Sequence, residues 1–117
     1  QPEETINQTT EFIPQQTRLR QNFPNPFNPA TTIQYGLPNP NRVTLKVYNL
    51  LGEEVVTLVN NEQKEARYHV AVWDGRNENG SVVASGVYIY RLQASGFTIT
   101  KKMALVKLRI VKRNAGF

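Results

Sequence analysis

His69 is the only histidine in the chain and cysteine is absent, so one imidazole stands for all the side chains that most often act as base, thiolate or soft metal ligand. A Ser–His or Cys–His nucleophile needs that base beside it. His69 lies in His69-Val70-Ala71-Val72-Trp73, which reads as strand, and a structural imidazole is the expectation there. Glycoside hydrolysis needs two carboxyl groups converging across a cleft. The acids Glu3, Glu4, Glu11, Glu53, Glu54, Glu62, Glu65, Asp74 and Glu78 fall nearly all in linker or turn positions, and none carries an acid–base motif. Asp74-Gly75-Arg76-Asn77-Glu78-Asn79-Gly80 has the oxygen-rich look of a calcium loop. Such a loop wants an oxygen ligand at its third position, where Arg76 stands, so a Gly- and Asn-supported turn is the better reading. Tyr35, Tyr48, Tyr68, Tyr88, Tyr90 and Trp73 supply enough rings for a sugar-binding row, but their apolar strand neighbours favour core duty. Basic and aromatic residues do not interleave as in single-strand nucleic-acid platforms, and polyphosphate loops are missing. The expectation is a protein without catalytic residues, metal or cofactor.

The elements that would position these groups follow from size and pattern. A chain of 117 residues fits one domain with one sizeable core. Apolar residues at 39% and charged residues at 20% describe neither a disordered polyelectrolyte nor a membrane span. No apolar run approaches the roughly 20 residues of a bilayer crossing. Gln1 opens a polar stretch without the pattern of a signal peptide, so any export leader is expected outside these residues. Without cysteine, stability must come from packing, and oxidising surroundings pose no hazard. Six of the fourteen basic residues (Lys101, Lys102, Lys107, Arg109, Lys112 and Arg113) crowd into the last 17 positions of a chain of net charge +5. A charged strand face that resists aggregation is the plainest use of such a cluster.

Residues 1–20 are polar and read as linker, because Ile6, Phe12 and Ile13 form no face of either period. Asn22-Phe23-Pro24-Asn25-Pro26-Phe27-Asn28-Pro29 then places three prolines in eight residues, which excludes helix and central strand. It predicts a stiff strap whose Phe23 and Phe27 act as two anchors on the domain. Short β-branched and aromatic segments follow at the spacing of a sandwich: 31–37, 42–50, 54–59, 67–73, 82–84, 87–94 and 98–110. In the second of them Val43, Leu45 and Val47 alternate with Thr44, Lys46 and Tyr48, which gives one core face. Residues 60–66 read as a solvated loop. About seven strands without βαβ alternation predict an all-β, immunoglobulin-like antiparallel sandwich, with Trp73 and Tyr88 as large core anchors.

The strap resembles the opening of the C-terminal sorting domain, type A, carried by cargo of the type IX (Por) secretion system. The resemblance continues through Val43-Thr44-Leu45-Lys46-Val47-Tyr48-Asn49-Leu50-Leu51-Gly52-Glu53-Glu54-Val55 and the tryptophan turn Trp73-Asp74-Gly75-Arg76. It runs on through Ser85-Gly86-Val87-Tyr88-Ile89-Tyr90-Arg91-Leu92 to Lys101-Lys102-Met103-Ala104-Leu105-Val106-Lys107. Five motifs in order are far more specific than any one. The resemblance implies an immunoglobulin-like domain fused behind an exported cargo, recognised by secretion-apparatus proteins at the outer membrane of Bacteroidetes-type bacteria. Such a domain is often cleaved off as the cargo reaches the cell surface. A related module occurs in flagellar hook-capping proteins. The structural motif residues are then Phe23, Pro24, Asn25, Pro26, Phe27, Trp73, Asp74, Gly75, Gly86 and Tyr88.

These readings make residues 21–107 a sorting domain and 108–117 an extension past the family's usual end, with an adhesive or assembly module and a carbohydrate-binding module as the competing functions. Recognition is expected in the final strand, at Lys101, Lys102, Met103, Ala104, Leu105, Val106 and Lys107. Val106, Leu108 and Ile110 alternate there with Lys107 and Arg109, and a strand at a sheet edge can be captured by backbone pairing. The same edge could pair with a neighbouring copy. No nucleic acid and no membrane span is expected.

Overall fold

The computed structural model describes residues 13–107, so the alternation expected over Leu108, Arg109 and Ile110 lies outside the described residues. Seven strands form: β1 (Arg18–Leu19), β2 (Thr31–Gly36), β3 (Asn41–Tyr48), β4 (Glu54–Lys64), β5 (Tyr68–Trp73), β6 (Gly86–Ala94) and β7 (Phe97–Leu105). They make a three-stranded sheet, β1-β2-β5, and a four-stranded sheet, β4-β3-β6-β7, with every neighbouring pair antiparallel. This is the predicted all-β immunoglobulin-like sandwich.

The alternation of β3 does what the pattern dictates. Val43, Leu45 and Val47 are buried against Tyr88, Tyr90 and Leu92 of β6 and Met103 and Leu105 of β7, while Ile33, Tyr35 and Trp73 fill the core from the other sheet. Trp73 and Tyr88 meet edge to face across the sheets with centroids 5.3 Å apart, a favoured aromatic geometry. Their polar atoms are satisfied locally. Trp73 Nε1 donates to the Arg76 carbonyl at 2.9 Å and the Tyr88 hydroxyl to the Ala84 carbonyl at 2.6 Å.

Three boundaries differ from the sequence reading. Residues 60–64 are strand, because β4 continues past Asn61, whose φ of 50° sits in a register shift, and pairs Glu62, Gln63 and Lys64 with Val43, Arg42 and Asn41. Asparagine tolerates such a bulge conformation. Residues 82–84 form no strand. Val82 makes a single bridge to Arg76, since the loop satisfies itself through Asn77 N–H to Ser81 O, Gly80 N–H to Asn77 O and Val83 N–H to Gly75 O. At the other end Arg18–Leu19 pairs with Tyr35–Gly36 and buries Leu19.

The strap corrects a further expectation. Phe27 is 2% exposed and packs on Trp73 at 5.5 Å, as an anchor should. Phe23 is 78% exposed and anchors nothing with its ring. Its backbone exchanges two 2.9 Å hydrogen bonds with Thr32, which turns the ring to the outer face of the small sheet. The strap therefore does dock through the backbone, despite its prolines. It crosses from the small sheet at Phe23 to the large one at Phe27, whose N–H donates to Ala104 O and whose carbonyl accepts from Val106 N–H.

Asn22 is the polar pin at the start of this crossing, and it is buried. Its Nδ2 donates to Thr31 Oγ1 and the Pro24 carbonyl, and its N–H donates to the Tyr90 hydroxyl, which itself donates to the Arg20 carbonyl at 2.7 Å. Tyr90→Phe leaves the Asn22 N–H and the Arg20 carbonyl short of a partner in a closed site. The expected loss is about 1–3 kcal/mol, read as a lower denaturant midpoint with an unchanged slope.

Candidate recognition edge

Among the described residues β6 is the one strand paired with β7, so one side of the β7 backbone faces away from the sheet. In an antiparallel ladder successive residues turn their N–H and C=O groups to opposite sides. In β7 the even positions point outward, as their partners show. Gln21 Nε2 donates to Lys102 O at 2.8 Å, Ala104 N–H donates to Asn25 Oδ1 at 2.9 Å, and Ala104 O accepts from Phe27 N–H. The strap thus covers the edge from the carbonyl of residue 102 to residue 106. Thr98 and Thr100 carry no backbone partner on that side among the described residues.

The residues expected to be read divide by the same parity. Met103 and Leu105 are 2% and 3% exposed and belong to the core, so in the folded domain their side chains are closed to a partner. Lys102 is exposed on the outer face of the large sheet, and Lys101 is half-buried on the opposite face opposite Tyr90. Ala104 is half-buried. Val106 and Lys107 lie exposed beyond the strand, with Lys107 N–H donating to Ser85 Oγ. Pro24, Pro26, Phe27, Asn28 and Val106 line an apolar groove beside them. Asp74 is exposed, and its Oδ1 accepts from Arg76 N–H at 3.1 Å, which spends that oxygen on the turn. Gly75 has φ of +78°, and a Cβ there would lie 3.3 Å from the Pro29 carbonyl, so this turn needs glycine to let the strap pass. Gly86 opens β6 opposite Leu105.

Charge is segregated. Every carboxylate among the described residues lies between Glu53 and Glu78, on β4 and the loops flanking β5. β6, β7 and the strap carry none. Arg91 of β6 stands opposite Thr100 of β7, with its guanidinium 4.7 Å over the Tyr48 ring and its Nε buried without a hydrogen-bond partner. Parity along the sequence separates Lys101 from Lys102, but nothing in it announces that Arg91 stands beside them.

The rings and the imidazole that competing chemistries would use are engaged elsewhere. Tyr35, Tyr88, Tyr90 and Trp73 are buried, which removes four of the six rings proposed for a sugar-binding row. Tyr48 and Tyr68 each have an arginine over the ring. His69 is stacked on Tyr35 at 5.3 Å with Nε2 2.8 Å from the Glu65 carbonyl, and those contacts make it a structural group.

The family model described as the secretion system C-terminal sorting domain matches residues 21–107. The chain belongs to this family. It carries a sorting signal for type IX secretion, and the destination is the cell surface or the medium. Sorting domains of this family are in general non-catalytic. No helix among the described residues is long and apolar enough to cross a membrane.

No curated protein sequence matches the chain. Among solved structures, dimeric latent PorU from Porphyromonas gingivalis is similar with a TM-score of 0.62 at 22% identity, over 75% of this chain and 9% of PorU. FlgD from P. aeruginosa follows with 0.51 at 24% identity, over 64% of this chain and 59% of FlgD. PorZ, an essential surface component of the type IX secretion system of P. gingivalis, gives 0.50 at 21% identity, over 77% and 11%. The sorting domain thus spans about a tenth of PorU and PorZ and somewhat over half of FlgD. At these identities the likeness is one of fold.

Proposed function

We propose that β7 is the part of the sorting domain that the secretion apparatus reads, by pairing a strand of its own with the β7 backbone, while the domain performs no chemistry. The observation that carries this reading is that, among the described residues, β6 is the one strand paired with β7, and the outward backbone groups of Thr98 and Thr100 have no partner. An edge strand presents unpaired donors and acceptors in a fixed row, a surface that another chain can complete. The lysines of the final segment steer the encounter. The sorting unit runs from β1 through residue 107, the residues ahead of β1 are the linker to an N-terminal cargo, and 108–117 are an extension that sorting does not require. The receptor sits at the outer membrane.

A reporter fused ahead of the domain tests this. Removing residues 101–117 should abolish its appearance at the cell surface, and removing 108–117 alone should spare it. The larger cut also takes Met103 and Leu105 out of the core, so a Leu45→Ala control, which weakens the fold from β3, separates a lost signal from a lost fold. Surface delivery after the larger cut would sink the proposal.

A further inference from the structure

Resting on the reading of β7 as the recognised strand, we infer that its partner is an acidic extended segment of another protein, and that it pairs with Thr98–Lys102 rather than with the strap-covered stretch that follows. The free row consists of the N–H and C=O of Thr98 and Thr100 and the N–H of Lys102. Beyond it the strap already holds the edge, through Gln21 at Lys102 O, Asn25 and Phe27 at Ala104, and Phe27 at Val106. Among the described residues no hydrogen bond occupies the outward backbone groups of the first stretch, so an incoming strand meets no bond to break there.

The charges around that stretch are of one sign. Arg91 stands opposite Thr100, and Lys102 lies on the same outer face two positions on. Lys101 flanks the edge from the other face. None of the three has a carboxylate partner among the described residues, and the unpaired Nε of Arg91 is held in place by the Tyr48 ring. In a paired strand the side chains two residues apart share a face. A partner carboxylate opposite Lys102 would therefore stand beside its ammonium on the outer face and one on the other face beside Lys101, while Arg91 lies a strand further in with its guanidinium over Tyr48 of β3. A basic segment would meet like charges on both faces, which selects against it.

The substitution that isolates this edge is Thr100→Pro. Its N–H points away from β6, so proline removes a donor the sandwich does not use, a placement that edge strands tolerate. The paired variant Lys101→Glu/Lys102→Glu keeps the backbone row and reverses the charge. The probe is a short peptide alternating valine and glutamate, with its valine–lysine counterpart, added to the full chain while amide hydrogen exchange is followed by NMR. The glutamate peptide should slow exchange at Thr98, Thr100 and Lys102, the lysine peptide should not, Thr100→Pro should abolish the effect, and the charge variant should weaken it roughly tenfold.

Equal protection by both peptides, protection on β4 instead, or unchanged binding by Thr100→Pro would overturn the inference. So would protection of these amides by the chain itself at rising concentration, which would make a second copy the occupant. In the reporter fusion the two levels separate. Export surviving removal of residues 101–117 defeats the reading of β7, whereas export lost on that removal but normal in Thr100→Pro and in the charge variant defeats only the acidic-strand inference.

Discussion

Phe27→Ala should destabilise the domain by about 3–5 kcal/mol, whereas Phe23→Ala should leave stability within about 0.5 kcal/mol. The two phenylalanines are four positions apart in one proline-rich strap, with near-identical neighbours. What separates them is where the strap has reached. Phe27 closes the end of the core beneath Trp73, between the two sheets, and its backbone is bonded to Ala104 and Val106 on both sides of Leu105. Truncating the ring removes its apolar area and leaves a void lined by Trp73 and Leu105 that the rigid strap cannot collapse to fill. A small domain has only about 5–15 kcal/mol to lose, so a large part of the population would unfold near its growth temperature. Phe23 has its backbone bonds and little else. Denaturant unfolding followed by Trp73 fluorescence measures both, and equal midpoints for the two variants would refute the assignment of Phe27 as the strap's anchor.

Raising the pH from about 10 to 12 should unfold the domain. Burial pushes the hydroxyls of Tyr35 and Tyr90 up to about 12. Glu62 adds to the rise at Tyr35 and Arg67 opposes it, while the hydrogen bond from Asn22 opposes it at Tyr90. In the unfolded chain a phenol ionises near 10. Below that value both states hold the proton and the stability conferred by the neutral rings is complete. Above it the unfolded state has released protons that the folded state retains, so stability falls as pH rises through the folded value. Both phenols lose stability in the same pH window, and after allowance for solvent screening the summed loss by pH 12 is on the order of a few kcal/mol, a large part of the stability of a marginal domain. Tyrosinate absorbance from these two rings should therefore appear together with the loss of near-ultraviolet dichroism. Their full ionisation while tertiary dichroism persists would show that the hydroxyls are open to solvent.

Both outcomes depend on contacts that a linear reading reaches only in part. The alternation of Val43, Leu45 and Val47 announced β3 and its buried face, because a pleated strand imposes a period of two on any sheet with one wet side. Trp73 and Tyr88 were legible as core anchors for the same reason, being large rings inside apolar strand patterns. Leu19 was not, since a single apolar residue in a polar stretch has no period. Residues 60–64 look like a loop by composition, yet the free length of β3 opposite them supplies the hydrogen bonds that make them strand.

The amino-acid order by itself determined the class of fold, the absence of cysteine thiols, and the family, because strand period, cysteine count and motif order are properties of the chain read in one dimension. It could not decide which phenylalanine is buried, because proline-rich backbone has no fixed period to carry a face from one residue to the next. Nor could it show that the strap seals the far half of β7, a bond between Asn25 and Ala104 that spans 79 positions. Only the crossing of the strap from one sheet to the other brings those groups together, and the stretch it leaves open beside Lys101 and Lys102 is a product of that crossing.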